Sequence, residues 1–123
     1  MSINGVANVD DMMRIEKSQH SSEHWVVSYW QDVISQDDVK KDHLEVISPV
    51  NHVVKIQAPV LLIHGEYDEV VPLKQSKKMY REMKDAGKSV RFVELEKGDH
   101  YLSSAKNRMK AMKAIDEFVK KNI

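Results

Sequence analysis

Cysteine is absent from the 123 residues, which excludes a disulfide framework and any thiolate metal site. The absence fits a reducing compartment, and a cytoplasmic location is the expectation. Neither sign of charge dominates: Lys+Arg and Asp+Glu number 19 each, for a formal net charge of zero. That balance gives no reason to expect nucleic acid or an anionic membrane as partner. Long hydrophobic runs are missing too. The longest, "PVLLI" at 59–63, falls far short of the roughly 20 apolar residues that a membrane span needs. The opening "MSINGVANVDD" has no basic region followed by an apolar stretch, so it does not read as a secretory signal. Glycine is scarce: Gly5, Gly65, Gly87 and Gly98 are the four, and no two lie four positions apart. A G-x-S-x-G turn therefore cannot occur in this sequence.

What is present is one domain's worth of chain, 41% hydrophobic, without repeats or low-complexity tracts. It divides near Pro49. The second part is strongly patterned. "APVLLIHG" is short, apolar and bounded by Pro59 and Gly65, as suits a strand buried on both faces of a parallel sheet. "LKQSKKMYREMKDAG" sets Met79, Tyr80 and Met83 at helical spacing, with Gly87 as a stop. "SVRFVELE" alternates as a strand does. "AKNRMKAMKAIDEFVKKN" carries Met109, Met112, Ile115, Phe118 and Val119 as an apolar stripe opposite a charged face, the pattern of an amphipathic helix. Strand, helix, strand, helix in that order predicts an α/β fold with a parallel sheet and right-handed crossovers. The basic runs in these helices read as solvated faces.

The first part is less patterned. "SINGV" reads as a short strand and "NVDDMMRIEK" as a helix opening, with Asp10 and Asp11 where the helix dipole favours them. "EHWVVSYWQDVI" places Trp25, Val26, Tyr29, Trp30 and Val33 on one helical face, expected to serve packing. "ISPVNHVVKI" reads as a loop, because Pro49 excludes a regular helix there.

Ligands and catalytic groups in open α/β sheets gather at the carboxyl ends of strands. Asp68 follows the strand "VLLI", and His100 follows "VRFVEL". Neighbouring parallel strands would bring the two loops together. A carboxylate beside an imidazole fixes its tautomer and stabilises the imidazolium, as the acid and base of a Ser-His-Asp triad require. The same pattern also fits a capping Asp and a loop His with no partnership.

The stretch "APVLLIHGEYDEVVPLKQSKKMYREMKDAGKSVRFVELEKGDH" resembles the end of the catalytic domain of the prolyl oligopeptidase family, most of all its dipeptidyl-peptidase and acylaminoacyl-peptidase branch. These are serine peptidases with an α/β-hydrolase fold. The resemblance extends back through "SPVNHVVKI" and more loosely to "SINGVANVDDMM" and "SYW", and forward through "NRMKAMKAIDEFVKKN"; residues 14–45 match only in outline. It implies that Asp68 is the triad acid and His100 the base. It implies the C-terminal portion of an α/β-hydrolase, with "SINGV", "VLLIH" and "VRFVEL" as about three neighbouring parallel strands with flanking helices. Residues 1–123 are then a partial peptidase domain: 1–48 lie downstream of the nucleophile elbow, and 49–123 are the unit carrying acid and base. The elbow itself is not in the sequence, and none of the eleven serines lies in such a turn. The expectation is a fragment, inactive alone, of a protein that cleaves short peptides near the N-terminus, with no metal or organic cofactor. Its partners are a peptide substrate in the full-length protein, no nucleic acid and no membrane, and a second copy of itself, because an open strand edge and a bare sheet face recruit partners. The alternatives are a non-catalytic interaction module and a fragment of another α/β-hydrolase such as an esterase.

"HSSEH" at 20–24 also fits the H-x-x-E-H metal signature. If helical, it would put His20 and His24 one turn apart; no third ligand is evident, and a solvated helix start explains it as well. His52 reads as structural, His64 as satisfying backbone groups at its strand end, and Glu66 as a supporting residue.

Overall fold

The computed structural model describes residues 1–21, 23–34 and 41–123. The elements in order are β1 (Ser2–Ile3), α1 (Val9–Gln19), α2 (Trp25–Ile34), α3 (Lys41–Val46), a 3₁₀ helix (Pro49–Lys55), β2 (Val60–Gly65), α4 (Lys74–Asp85), β3 (Val90–Leu95) and α5 (Ala105–Asn122). The three strands form one parallel sheet in the order β1-β2-β3. This is the α/β fold with a parallel sheet that the patterning predicted, with about three parallel strands and flanking helices as the resemblance implied.

The apolar run of β2 is explained by burial on both faces. Leu62 packs with Val50, Val53, Met79 and Met83, under the 3₁₀ helix and α4. Leu61 and Ile63 face the other way, with Val93, Leu95, Ala111 and Ala114 under α5. The β3 alternation follows the same division: Val90 and Phe92 join the first cluster, Val93 and Leu95 the second. A third, smaller cluster of Met13, Val27 and Leu44 holds α1, α2 and α3 together. Helix α4 ends as its glycine predicts. Gly87 takes φ +67°, and the amides of Gly87 and Lys88 close on the carbonyls of Lys84 and Met83, a Schellman stop.

Three expectations need correction. Residues 49–55 are a 3₁₀ helix rather than a loop; proline opens it, and at that position no backbone N–H is required. The apolar stripe on α5 is only partly a core face. Ala111, Ala114 and Asn107 are buried, whereas Met109 is 70% and Met112 63% exposed; the small alanines let the helix approach the sheet. The aromatic face of α2 is not packed away either, since Trp25, Tyr29 and Trp30 are all exposed.

Long-range polar ties fasten the amino-terminal segment. The Gln75 Oε1 atom accepts from the amides of Ala7 (3.0 Å) and Asn8 (2.8 Å). The Ser48 hydroxyl donates to the Leu44 carbonyl and accepts from the Val9 amide.

Candidate active site

Strands β2 and β3 keep their pairing beyond their ends. The Glu66 amide donates to the Leu95 carbonyl at 3.0 Å, and the Tyr67 amide to the Gly98 carbonyl at 2.9 Å. The Glu66 carboxylate accepts from the Lys97 amide at 2.8 Å, which is the supporting role expected of it. The closeness depends on Gly65. A Cβ there would stand 2.4 Å from the Gly98 carbonyl oxygen, so no side chain fits between the loops.

The two loops bring Asp68 and His100 together. The Nδ1 atom of His100 lies 2.8 Å from Oδ2 of Asp68. A carboxylate only accepts, so Nδ1 carries a proton, and in the neutral imidazole Nε2 is then the nitrogen with the lone pair. The other carboxylate oxygen, Oδ1, accepts from the amides of Val70 (2.9 Å) and Val71 (2.8 Å). The Asp68 side chain is fully buried and that of His100 is 28% exposed. The acid is thus locked from behind, and the imidazole can still meet a reactant. Among the described residues Nε2 has no hydrogen-bond partner.

His64 lies behind this pair, fully buried. Its Nε2 atom is 2.8 Å from the Val71 carbonyl, so Nε2–H donates there, and Nδ1 accepts from the Ser76 hydroxyl at 2.7 Å. The backbone role foreseen for it is present, together with a contact not foreseen: Nε2 is 3.4 Å from Oδ2 of Asp68. Burial pushes the His64 pKa down and outweighs the nearby carbonyl and carboxylate. The ring is therefore neutral, and it braces the loop without cancelling the charge of Asp68.

Sequence reasoning missed Asn4. It follows β1 in the left-handed conformation, φ +49°, and is buried. Its Oδ1 atom accepts from the Gly65 amide at 3.0 Å, and its Nδ2 group donates to the His100 carbonyl at 2.8 Å. The Asn4-Gly5 pair at a strand exit was a turn signal that could have marked it.

A mainly apolar cavity of 340 Å³ opens beside His100, walled by Val6, Val9, Met13, Trp30 and Val71 among others. A larger cleft of 640 Å³, lined by Asp10, Arg14, Asp42 and Glu45, includes neither Asp68 nor His100; the smaller cavity is the one that reaches His100.

The remaining histidines stand apart. Helix α1 stops at Gln19 with His20 as its cap, so "HSSEH" is not one helical face; Ser22 of that motif lies outside the described residues. The rings of His20 and His24 stack at 4.4 Å. Among the described residues no group of three or more His, Asp or Glu could hold a metal, and no helix is long and apolar enough to cross a membrane. His52 hydrogen-bonds the Val46 carbonyl.

Comparison with known proteins agrees with this architecture. The acylaminoacyl peptidase of Pyrococcus horikoshii superposes with a TM-score of 0.80 at 27% identity, over 99% of this chain and 19% of that one. The acylamino-acid-releasing enzyme of Rattus norvegicus is 38% identical over 56 residues, 46% of this chain and 8% of that protein. YqkD of Bacillus subtilis strain 168 is 33% identical over 73 residues, 59% of this chain and 23% of that protein. The matched stretch thus spans less than a quarter of the length of each of these relatives. The fold is that of the α/β-hydrolase peptidases. The profile of the prolyl oligopeptidase family matches residues 1–123 throughout, and the chain belongs to that family.

Proposed function

We propose that this chain supplies the acid and base of a serine peptidase, with residues 49–123 as the unit that carries them. Asp68 orients His100. His100 takes a proton at Nε2 from a serine hydroxyl contributed from outside these 123 residues and returns it to the leaving amine. The observation that carries the reading is the 2.8 Å bond from Nδ1 of His100 to a buried carboxylate whose second oxygen is already held by two amides. That arrangement selects the tautomer with Nε2 free to act as base. The cavity beside His100 would take an apolar side chain of a short peptide. The acylaminoacyl peptidases among the similar proteins support peptides over simple esters as substrates.

The test uses two proteins. In a polypeptide that carries both this segment and a G-x-S-x-G serine, His100→Ala should lower peptide turnover by about 10⁴-fold or more, because triad members act as a unit. The 123-residue chain alone should hydrolyse neither peptides nor esters above background, with or without His100. Hydrolysis by the purified chain that a serine-directed inhibitor abolishes would refute the assignment of the nucleophile to another segment.

For the chain by itself a second reading has its own support. The exposed aromatic face of α2 and the outer edge of β1, unpaired among the described residues, suit self-association.

A further inference from the structure

The acid side of the pair is braced by the Val70 and Val71 amides of its own loop and by His64 of β2 behind it. The base side is held by local bonds too, from the Ser103 amide to the Asp99 carboxylate at 2.8 Å and from Arg108 to the Leu102 and Ser103 carbonyls, but among the described residues none of these reaches the His100 peptide itself. His100 sits five residues past the end of β3, and its ring is part-exposed. Its backbone is held from far away in the sequence: the one side-chain group that hydrogen-bonds the His100 carbonyl, among the described residues, is the carboxamide of Asn4, 96 residues distant.

The geometry of Asn4 suits that task. Its own amide donates to the Ile63 carbonyl at 2.9 Å, which continues the pairing of Ser2 and Ile3 with Leu62 and Ile63. The left-handed turn at Asn4, a conformation that asparagine tolerates better than most residues, then carries its side chain across the end of β2. There it accepts from the Gly65 amide and donates to the His100 carbonyl. One buried carboxamide therefore ties the ends of β1 and β2 to the loop that follows β3. Both of its polar ends are satisfied, so moving the His100 peptide would leave a buried donor unpaired, which is costly. Gly65 leaves no room for a side chain under that loop; the bare backbone at Gly65 and the Asn4 bridge set the height of His100 together.

We propose that Asn4 is a positioning residue for the acid–base pair: its carboxamide fixes the His100 peptide and thereby holds the imidazole in register with Asp68. The proposal rests on the catalytic reading of that pair, but its test is structural and does not require turnover. Loss of hydrolysis in the serine-bearing polypeptide and loss of His100 ordering in this chain are separate outcomes.

The experiment is nitrogen-15 NMR on the 123-residue chain, comparing wild type with Asn4→Asp and Asn4→Gly. Asp keeps the acceptor for Gly65 but removes the donor to His100. Gly adopts φ +49° without strain and removes both. In wild type the Asn4 carboxamide protons should exchange slowly, and the His100 ring should show a single tautomer with the proton on Nδ1. In both variants the Nδ1 proton of His100 should exchange about five- to tenfold faster, the factor expected for one lost hydrogen bond of ordinary worth, and the ring should become a mixture of tautomers. His64, held by Val71 and Ser76, should keep its tautomer and serves as the internal control. If Asn4→Asp leaves the Gly65 amide protected and still loosens His100, the donor arm is isolated as the cause. The proposal is overturned if the variants lower the melting temperature while the His100 ring keeps one tautomer and slow exchange. It is equally overturned, with no variant needed, if the wild-type Asn4 carboxamide exchanges as freely as an exposed one.

Discussion

Replacing Gly65 with alanine tests how tightly the two loops must meet. A Cβ at that position would lie 2.4 Å from the Gly98 oxygen, 2.7 Å from the Gly98 carbonyl carbon and 2.9 Å from the Asp99 oxygen. All three are backbone atoms, so no side chain can swing aside. To reach ordinary contact at 3.4 Å the His100 loop must withdraw by about 1 Å. The loops are joined there by the Glu66–Leu95 bond of 3.0 Å and the Tyr67–Gly98 bond of 2.9 Å, and a shift of that size takes both beyond hydrogen-bond range. Overpacking of this kind costs about 1–3 kcal/mol, and two backbone hydrogen bonds add roughly 1 kcal/mol each. The expected loss is therefore about 3–5 kcal/mol, a large share of the stability of a small domain. Gly87→Ala provides the control. That glycine has φ +67° but nothing within 4 Å of a built Cβ, so its replacement should cost only about 1–2 kcal/mol of left-handed backbone strain. Urea unfolding followed by circular dichroism, at one fixed protein concentration, measures both. The steric argument fails if Gly65→Ala is no more destabilising than Gly87→Ala.

Three further outcomes are expected. The pKa of His64 is lowered from its ordinary 6.5 by burial, so the unfolded chain binds more protons than the folded one just below that pH. Stability from this group should be complete above pH 6.5 and should fall as the pH drops from 6.5 towards the lower folded value; His64→Gln should flatten that part of the pH–stability curve, and an unchanged slope would exclude His64 as its source. Gln75→Ala should leave the Ala7 and Asn8 amides without their buried acceptor and cost about 2–4 kcal/mol in the same urea assay, whereas a cost below about 1 kcal/mol would mean that water replaces it. Sedimentation at micromolar concentration should show the chain self-associating, most simply as a two-fold dimer, and replacing Trp25 and Trp30 together with serine should weaken the association; a wild-type monomer that melts cooperatively would refute it.

The strand–helix–strand–helix order of residues 60–122 and the residues of the candidate pair were legible in the sequence because their signals are local. An apolar run between Pro59 and Gly65, a helical repeat stopped by Gly87 and an alternating run at 90–95 each report their own backbone state, and short parallel strands can be joined only in a few ways. Asp68 and His100 could be singled out because each lies just past the end of such a strand. Other features depended on distant parts of the chain. Asn4 reads as half of an Asn-Gly turn until its side chain meets residues 61 and 96 positions away. The two amides served by Gln75 are 67 and 68 positions away. The apolar spacing on α5 did not reveal that Ala111 and Ala114, rather than Met109 and Met112, would meet the sheet, nor did α2 announce that its aromatic face would remain exposed. Periodicity records which residues share a face of one element. Which face is covered, and which polar group reaches across to another strand, is decided when the elements pack, because burial and hydrogen-bond partners are properties of the assembled fold.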